Sequence, residues 1–298
     1  MRDRIQTAVL VMLTMLAFGA GSSAASAAPA CDRRCLLATL TDYTEALADN
    51  DISRLQVTAD VRVTSNGNVV GLGKGETWGK FRRIPYRQAF VDPETGSAVF
   101  YGTLTNAPTP EPERWWFYVV RLKVVGGRIA EVEEISYDGT LMGTPAASLV
   151  EPDRIYDSVL PPDERVGRER LFELADMYFD AVSRRIDYHR VPWHPECQRR
   201  EIAMYTVNSP LIAGSCGGEF KIPRIWWNVE NRRFYVADVE RGVVLAIGNF
   251  MTPPAYPANN GSVVIEVFKI QDGMIRHIEA FMRGNGQLHS GWGTGKGS

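Results

Sequence analysis

The sequence lacks most of the features by which a function announces itself. Histidine is scarce, with four in 298 residues, and no HExxH pair occurs. No GxSxG elbow and no GxxxxGK[S/T] phosphate loop is present either, which removes the zinc-protease, serine-hydrolase and P-loop signatures. Charge of one sign is missing: 33 Lys and Arg stand against 35 Asp and Glu, for a net −2. That balance gives no basic field, so no nucleic-acid partner is expected. No run beyond residue 30 is long and apolar enough to span a bilayer, so no stable membrane insertion is expected. No cofactor or metal set is legible. What remains is ordinary for a globular chain, 45% hydrophobic and 23% charged, which excludes disorder, collagen and coiled coil for the whole.

The first 30 residues read as an export leader. Arg2 and Arg4 precede an apolar stretch from Ala8 to Ala20 and the small-residue run SSAASAAPA. Cleavage is expected near Ala27 or Ala30, which gives a secreted or periplasmic protein. An oxidising compartment makes disulfides the default for Cys31, Cys35, Cys197 and Cys216. Four cysteines allow three connectivities; local pairing, Cys31–Cys35 and Cys197–Cys216, is expected.

The strongest organisational signal is an internal duplication. DPETGSAVFYG (Asp92–Gly102) recurs as DVERGVVLAIG (Asp238–Gly248), and LKVVGGRIAEVEEI (Leu122–Ile135) recurs as FKIQDGMIRHIEAF (Phe268–Phe281), both 146 residues on. The helical starts LLATLTDYTEAL and LFELADMYFDAV correspond at an offset of 135, pairing Tyr43 with Tyr178. The larger later offset places an insertion in the second copy, near PLIAGSCGG. Each copy opens on apolar residues at helical spacing, Leu36, Leu40, Tyr43 and Leu47, then Phe172, Ala175, Phe179 and Val182. Strands with turn punctuation follow. The expected layout is a leader over 1–30, a first repeat over 31–139, a linker over 140–162, a second repeat over 163–285 and a tail over 286–298.

The segments CDRRCL, DPETG, GGRIAEVE, CQRREIAMYTVNSP, NRRFYVADVERGVVLA and EVFKIQDGMIRHIEAFM resemble an exported bacterial and fungal family with two tandem nuclear-transport-factor-2-like, or SnoaL-like, repeats. The resemblance implies an α+β fold of duplicated cone-shaped domains, each with N-terminal helices packed on a curved antiparallel sheet. It also implies a ligand held between sheet and helices, and a pseudo-dimer within one chain. The family pattern carries an acidic residue before Asn-Gly in the first strand of each repeat. Here repeat one has Ser65 in that place, while repeat two keeps Glu201 but reads REIA. The departure points to a specialised pocket in repeat two.

Candidate chemistry follows from ionisable groups on strand faces. His277 and Glu279 share one face of the last strand by period two, as an acid/base pair in which the carboxylate orients the imidazole. Glu201, preceded by Arg199 and Arg200, is a candidate general acid or base, with Arg199 steadying developing negative charge. His194, beside Trp193, is a candidate at the pocket mouth. Trp226, Trp227, Tyr205, Tyr178 and Glu279 are the candidate substrate-binding residues, on the reading that aromatics line a pocket for a ring-bearing small molecule. Together these predict a secreted, cofactor-independent acid/base enzyme acting on a small aromatic or hydrophobic substrate, with lignin-type aryl ethers a concrete possibility. The alternative is a non-catalytic ligand-binding or envelope accessory protein, which a wholly apolar pocket would favour.

Overall fold

The structure, a computed structural model, describes residues 31–138, 140–141, 144–210, 212–218, 228–253, 261–283, 291–292 and 295–296. The expected leader lies outside these residues. Helix α1 (Arg33–Asp49) starts at Asp32, whose carboxylate accepts from the Cys35 N–H at 2.8 Å, and stops at Asn50 in the left-handed region, φ 54°. Its buried stripe contains Leu36, Leu40, Tyr43 and Leu47. Helix α2 (Arg168–Val182) buries Phe172, Ala175, Tyr178 and Phe179. Cys31 is bonded to Cys35 and Cys197 to Cys216, the local pairing. No described helix is long and apolar enough to cross a membrane.

Repeat one supplies β1 (Val57–Ser65), β2 (Asn68–Val70), β3 (Arg83–Asp92), β4 (Ser97–Thr105), β5 (Trp115–Val125) and β6 (Arg128–Tyr137), with a small β7 (Thr140–Leu141) and β8 (Thr144–Pro145) hairpin after it. Repeat two supplies β9 (Trp193–Glu201), β10 (Met204–Tyr205), β11 (Asn228–Asp238), β12 (Val243–Met251), β13 (Ser262–Gln271) and β14 (Met274–Arg283), and β15 (Gly295–Lys296) joins its edge. The sheets run β2-β1-β6-β5-β4-β3 and β10-β9-β14-β13-β12-β11-β15. In each, four strands form an antiparallel meander and the first strand returns parallel to the last, β1 on β6 and β9 on β14.

The Asp-x-Glu-x-Gly signature is the hairpin turn before the second strand of each meander. Gly96 and Gly242 have φ of +68° and +61°, a region that only glycine enters freely. A Cβ there would stand 2.4 Å from Val124 O and 2.0 Å from Ile270 O. The same close approach lets each glycine carbonyl accept from the Val124 or Ile270 N–H, at 2.8 and 2.7 Å.

The α+β expectation, with N-terminal helices on an antiparallel sheet in each cone-shaped SnoaL-like domain, is corrected. The molecule is mostly β, and the described residues hold two α-helices, one per repeat. Each main sheet is mixed rather than purely antiparallel. The stretches that would supply further helices form only short 3-10 turns or irregular chain. Glycines at 71, 73, 75 and 79 punctuate one of them, and segments this short cannot repay the cost of helix nucleation. The duplicated two-domain architecture stands.

The repeats pack on each other, which explains strands without polar alternation. Every residue of β4 is buried. Ala98 and Phe100 belong to the core beneath α1, whereas Val99 and Tyr101 join a core shared with repeat two. A strand covered on both faces loses the period-two polarity signal. Across the seam Phe117 stacks on Phe281 at 5.1 Å between ring centroids. Two equivalent ion pairs cross it in opposite directions, Arg168–Asp92 at 2.6 Å and Arg33–Asp238 at 2.7 Å. Each joins one repeat's helix start to the other's Asp-x-Glu-x-Gly turn.

Candidate active site in repeat two

Strand register builds a row of side chains across the second sheet. Glu201 on β9 pairs with Ala280 on β14, which pairs with Glu266 on β13, which pairs with Ala246 on β12. Cross-strand partners share a face, so two carboxyl groups lie on one face with an alanine between them. Arg199, two residues before Glu201, shares that face. From α2, Tyr178 completes the group.

The contacts are dense. Tyr178 donates to Glu266 Oε1 at 3.0 Å. Arg199 Nη2 donates to the Tyr178 hydroxyl at 2.7 Å and to Glu201, and Arg199 Nη1 donates to the Tyr188 hydroxyl at 2.6 Å. Trp193 stands against both tyrosine rings, 4.8 Å from Tyr188 and 6.2 Å from Tyr178. The Glu266 and Arg199 side chains are almost wholly enclosed, whereas that of Glu201 retains 13% exposure. Burial pushes the Glu266 carboxyl up to about 8, against the opposing pull of Arg199. Its Oε2 has no hydrogen-bond partner among the described residues.

Repeat one carries a related but closed arrangement. In register, Ser65 faces Glu134 there, where repeat two has Glu201 facing Ala280. The carboxyl group has therefore changed strands between the two copies. Glu134 Oε1 accepts from Tyr43 at 2.8 Å, Trp78 at 2.9 Å and Tyr118 at 2.9 Å. Burial raises its pKa, and no arginine accompanies it in those contacts.

The expected site residues thus divide. Glu201, Arg199 and Tyr178 come together on the α2 face. His277, Glu279 and Tyr205 lie on the opposite face of the same sheet, because Arg200 alternates with Arg199 and pairs with Glu279 and Tyr205. Glu201 and His277, expected in one pocket, therefore lie in two separate clusters. On that second face His277 Nε2 lies 3.1 Å from Asp153 Oδ2, and Glu279 accepts from Tyr86 of repeat one at 2.8 Å. His194 makes a local contact, its Nδ1 accepting from the Glu196 N–H at 3.1 Å. Trp226 and Trp227 lie outside the described residues. Sequence reasoning missed Glu266, although a lone carboxylate in the apolar run VVIEVFKI is a usable signal, since an isolated buried charge requires partners. It also missed Asp153, Tyr86 and Tyr188, whose proximity no spacing encodes. Among the described residues no group of three His, Cys, Asp or Glu side chains is placed to hold a metal.

These buried groups set a pH dependence of stability. Burial raises Glu266 to about 8 and Glu279 to about 7, from an ordinary 4.5. The folded chain therefore holds protons that the unfolded chain has released, and stability falls as pH rises toward those values. Burial lowers His277 from 6.5 to about 4, so its contribution is lost in the other direction, as pH falls through that interval. Two carboxyls outweigh one histidine over the shared range. The melting temperature is expected to fall between about pH 5 and pH 8, with a shallower fall in Glu266→Gln. An unchanged slope in that variant would show that Glu266 does not carry the effect.

No curated protein matches the chain. Among solved structures, AclR of Streptomyces galilaeus, a protein put forward as a hydroxylase, is similar over 36% of this chain and 81% of its own, at 16% identity and a TM-score of 0.28. A likeness that distant carries no argument about fold or activity. The family evidence is broader, with one match over residues 29–136 and a second over 164–282, one for each copy of the duplication. The chain belongs to the family described as a domain of unknown function, DUF8021.

Proposed function

We propose that the protein is an exported acid/base enzyme that acts on a small aromatic substrate at the α2 face of repeat two. The observation that supports this is the coupling of two unlike carboxyl groups through one arginine and one tyrosine. Glu266 is enclosed and, at about 8, holds its proton at neutral pH. Glu201 lies at the partly open edge, paired with Arg199. Carboxyls in environments this different suit opposite roles in proton transfer. Tyr178, Tyr188 and Trp193 supply aromatic walls.

In this scheme Glu201 takes the proton of a substrate hydroxyl next to an aryl ether. The resulting alkoxide oxygen bonds to the neighbouring carbon as the bond from that carbon to the aryloxide breaks, giving an epoxide. Arg199 faces the negative charge that develops on the departing oxygen. Tyr178 passes a proton to that oxygen and is reprotonated by Glu266. Exchange with water restores both carboxyl groups. The partnership of the two repeats within one chain is then an intramolecular counterpart of a dimer, with repeat one, whose Glu134 is locked by three donors, serving as scaffold.

The test is a product screen by mass spectrometry, with protein lacking the leader incubated with aryl-ether dimers, aryl epoxides and cyclic ketones in heavy-oxygen water. Wild type is expected to turn over at least one class, with the rate in Glu201→Gln reduced by about a hundredfold or more. Absence of turnover across the panel by a folded protein would favour the ligand-binding alternative.

A further inference from the structure

The sheet of repeat one carries, on the side that faces repeat two, a group of residues that the proposed chemistry does not use. Register sets Arg62 beside Glu131, and Thr64 beside Glu133, which in turn pairs with Arg121. Cross-strand partners share a face, so Arg62, Thr64 and Arg121 project from one side of three neighbouring strands. The ring of Trp292, from the tail, lies on all three. Its indole N–H donates to Thr64 Oγ1 at 2.8 Å, and the guanidinium groups of Arg62 and Arg121 stand 4.3 and 4.8 Å from the ring centroid. The tail backbone is seated at the same place: Arg62 donates to the Gly291 carbonyl, and a Cβ on Gly291 would stand 3.0 Å from Gly67 O in the β1–β2 turn.

The duplication gives this ring a counterpart. Val267 and His277 stand in repeat two where Arg121 and Glu131 stand in repeat one, 146 residues earlier. Over them lies Tyr156 of the linker, its ring 5.5 Å from His277 and its hydroxyl donating to Val267 O at 3.1 Å. Each repeat thus receives an aromatic ring from the segment that follows the other. The two rings are held differently. Tyr156 is buried and meets no guanidinium among its printed ring contacts. Trp292 is half-buried, and Arg62 beside it is exposed, so the place it fills opens to solvent. Beneath it Thr64 and Arg121 are buried.

The residues under the ring define what can lie there. Cations are attracted to the face of an aromatic ring, and best to that of an indole. The Thr64 oxygen accepts a donor at the ring edge. An aliphatic group offers neither feature, and a plain hydrocarbon ring offers only the first. We propose that Arg62, Thr64 and Arg121 form a binding site for an aromatic ring that carries an N–H or O–H donor, of the indole or phenol class, and that Trp292 occupies it as an intramolecular plug. A ligand of that class binds by displacing Trp292, which releases the tail from repeat one. The site is separate from the α2-face cluster, which belongs to the sheet of repeat two.

Calorimetric titration and thermal melts with indole and 1-methylindole test the proposal. Trp292→Ala is expected to bind indole saturably and to melt at a higher temperature in its presence. Wild type should bind indole at least about tenfold more weakly, because Trp292 competes at a high effective concentration. In Trp292→Ala, 1-methylindole, which lacks the N–H, should bind about tenfold more weakly than indole. Adding Thr64→Val should abolish that difference, which locates the binding at repeat one whether or not the α2 face proves to be an active site. Trp292→Phe keeps a ring but loses the donor, and should bind indole with intermediate affinity; it serves if Trp292→Ala does not fold. Binding no tighter in the Trp292 variants than in wild type, or a preference for indole that survives Thr64→Val, would overturn the assignment and leave Trp292 as packing alone.

Discussion

Replacing Glu133 by leucine is expected to destabilise the protein by about 3–5 kcal/mol, because it strands the enclosed Arg233 guanidinium and leaves Arg121 with Glu131 alone. Glu133 is 2% exposed. Arg233 Nη1, from the other repeat, donates to both of its oxygens at 2.7 and 2.9 Å, and Arg121 Nε approaches at 3.3 Å. Arg121 is 1% exposed and lies 4.3 Å over the Tyr235 ring. Once the carboxylate is gone Arg121 keeps its pair with Glu131 at 2.8 Å, whereas Arg233 retains no carboxylate partner among the described residues. Combining Glu133→Leu with Arg121→Met and Arg233→Met should recover most of the loss, since exchanging a whole buried ion cluster for apolar groups of similar volume is often neutral or stabilising. Urea unfolding of the single and triple variants provides the measurement. A cost below about 1 kcal/mol for the single change would place the cluster effectively in water.

Arg199→Met is expected to cost a comparable amount at about pH 8, again roughly 3–5 kcal/mol, and less at about pH 5. One guanidinium serves Glu201, Tyr178 and Tyr188 together. Without it, Glu266 must be uncharged or lie uncompensated in the interior. At the lower pH Glu266 already holds its proton, since burial sets it to about 8, and the loss shrinks accordingly. Adding Glu266→Leu to Arg199→Met should flatten this pH dependence. Thermal melts at the two pH values decide it, and an equal loss at both would mean that the charge of Glu266 is not what Arg199 compensates.

Much of the candidate chemistry was legible along the chain, but its grouping was not. Period-two spacing places His277 with Glu279, and Arg199 shares a strand face with Glu201. The pairs nevertheless fall on opposite faces of one sheet, because the register of β9 on β14 aligns Arg200, not Arg199, with Glu279. A one-residue difference in register reverses every side chain, and no local feature of the REIA segment reports it. Glu266 remained hidden in a strand that resembles plain core, and Asp153 in a linker whose conformation only its neighbours fix.

The sequence by itself determined the duplication, the glycines of the two signature turns and the amphipathic stripe of each leading helix. The turn glycines and the helical stripes depend on short-range physics: a left-handed φ and a helical period. Tertiary structure alone decided that the first strand of each repeat runs parallel to the last, and that the repeats share a core through their sheets. Those outcomes depend on which faces find partners across more than a hundred residues of chain, as when Tyr86 meets Glu279 and Arg233 meets Glu133. Burial on both faces then erases the polar alternation from which such pairings would otherwise be read.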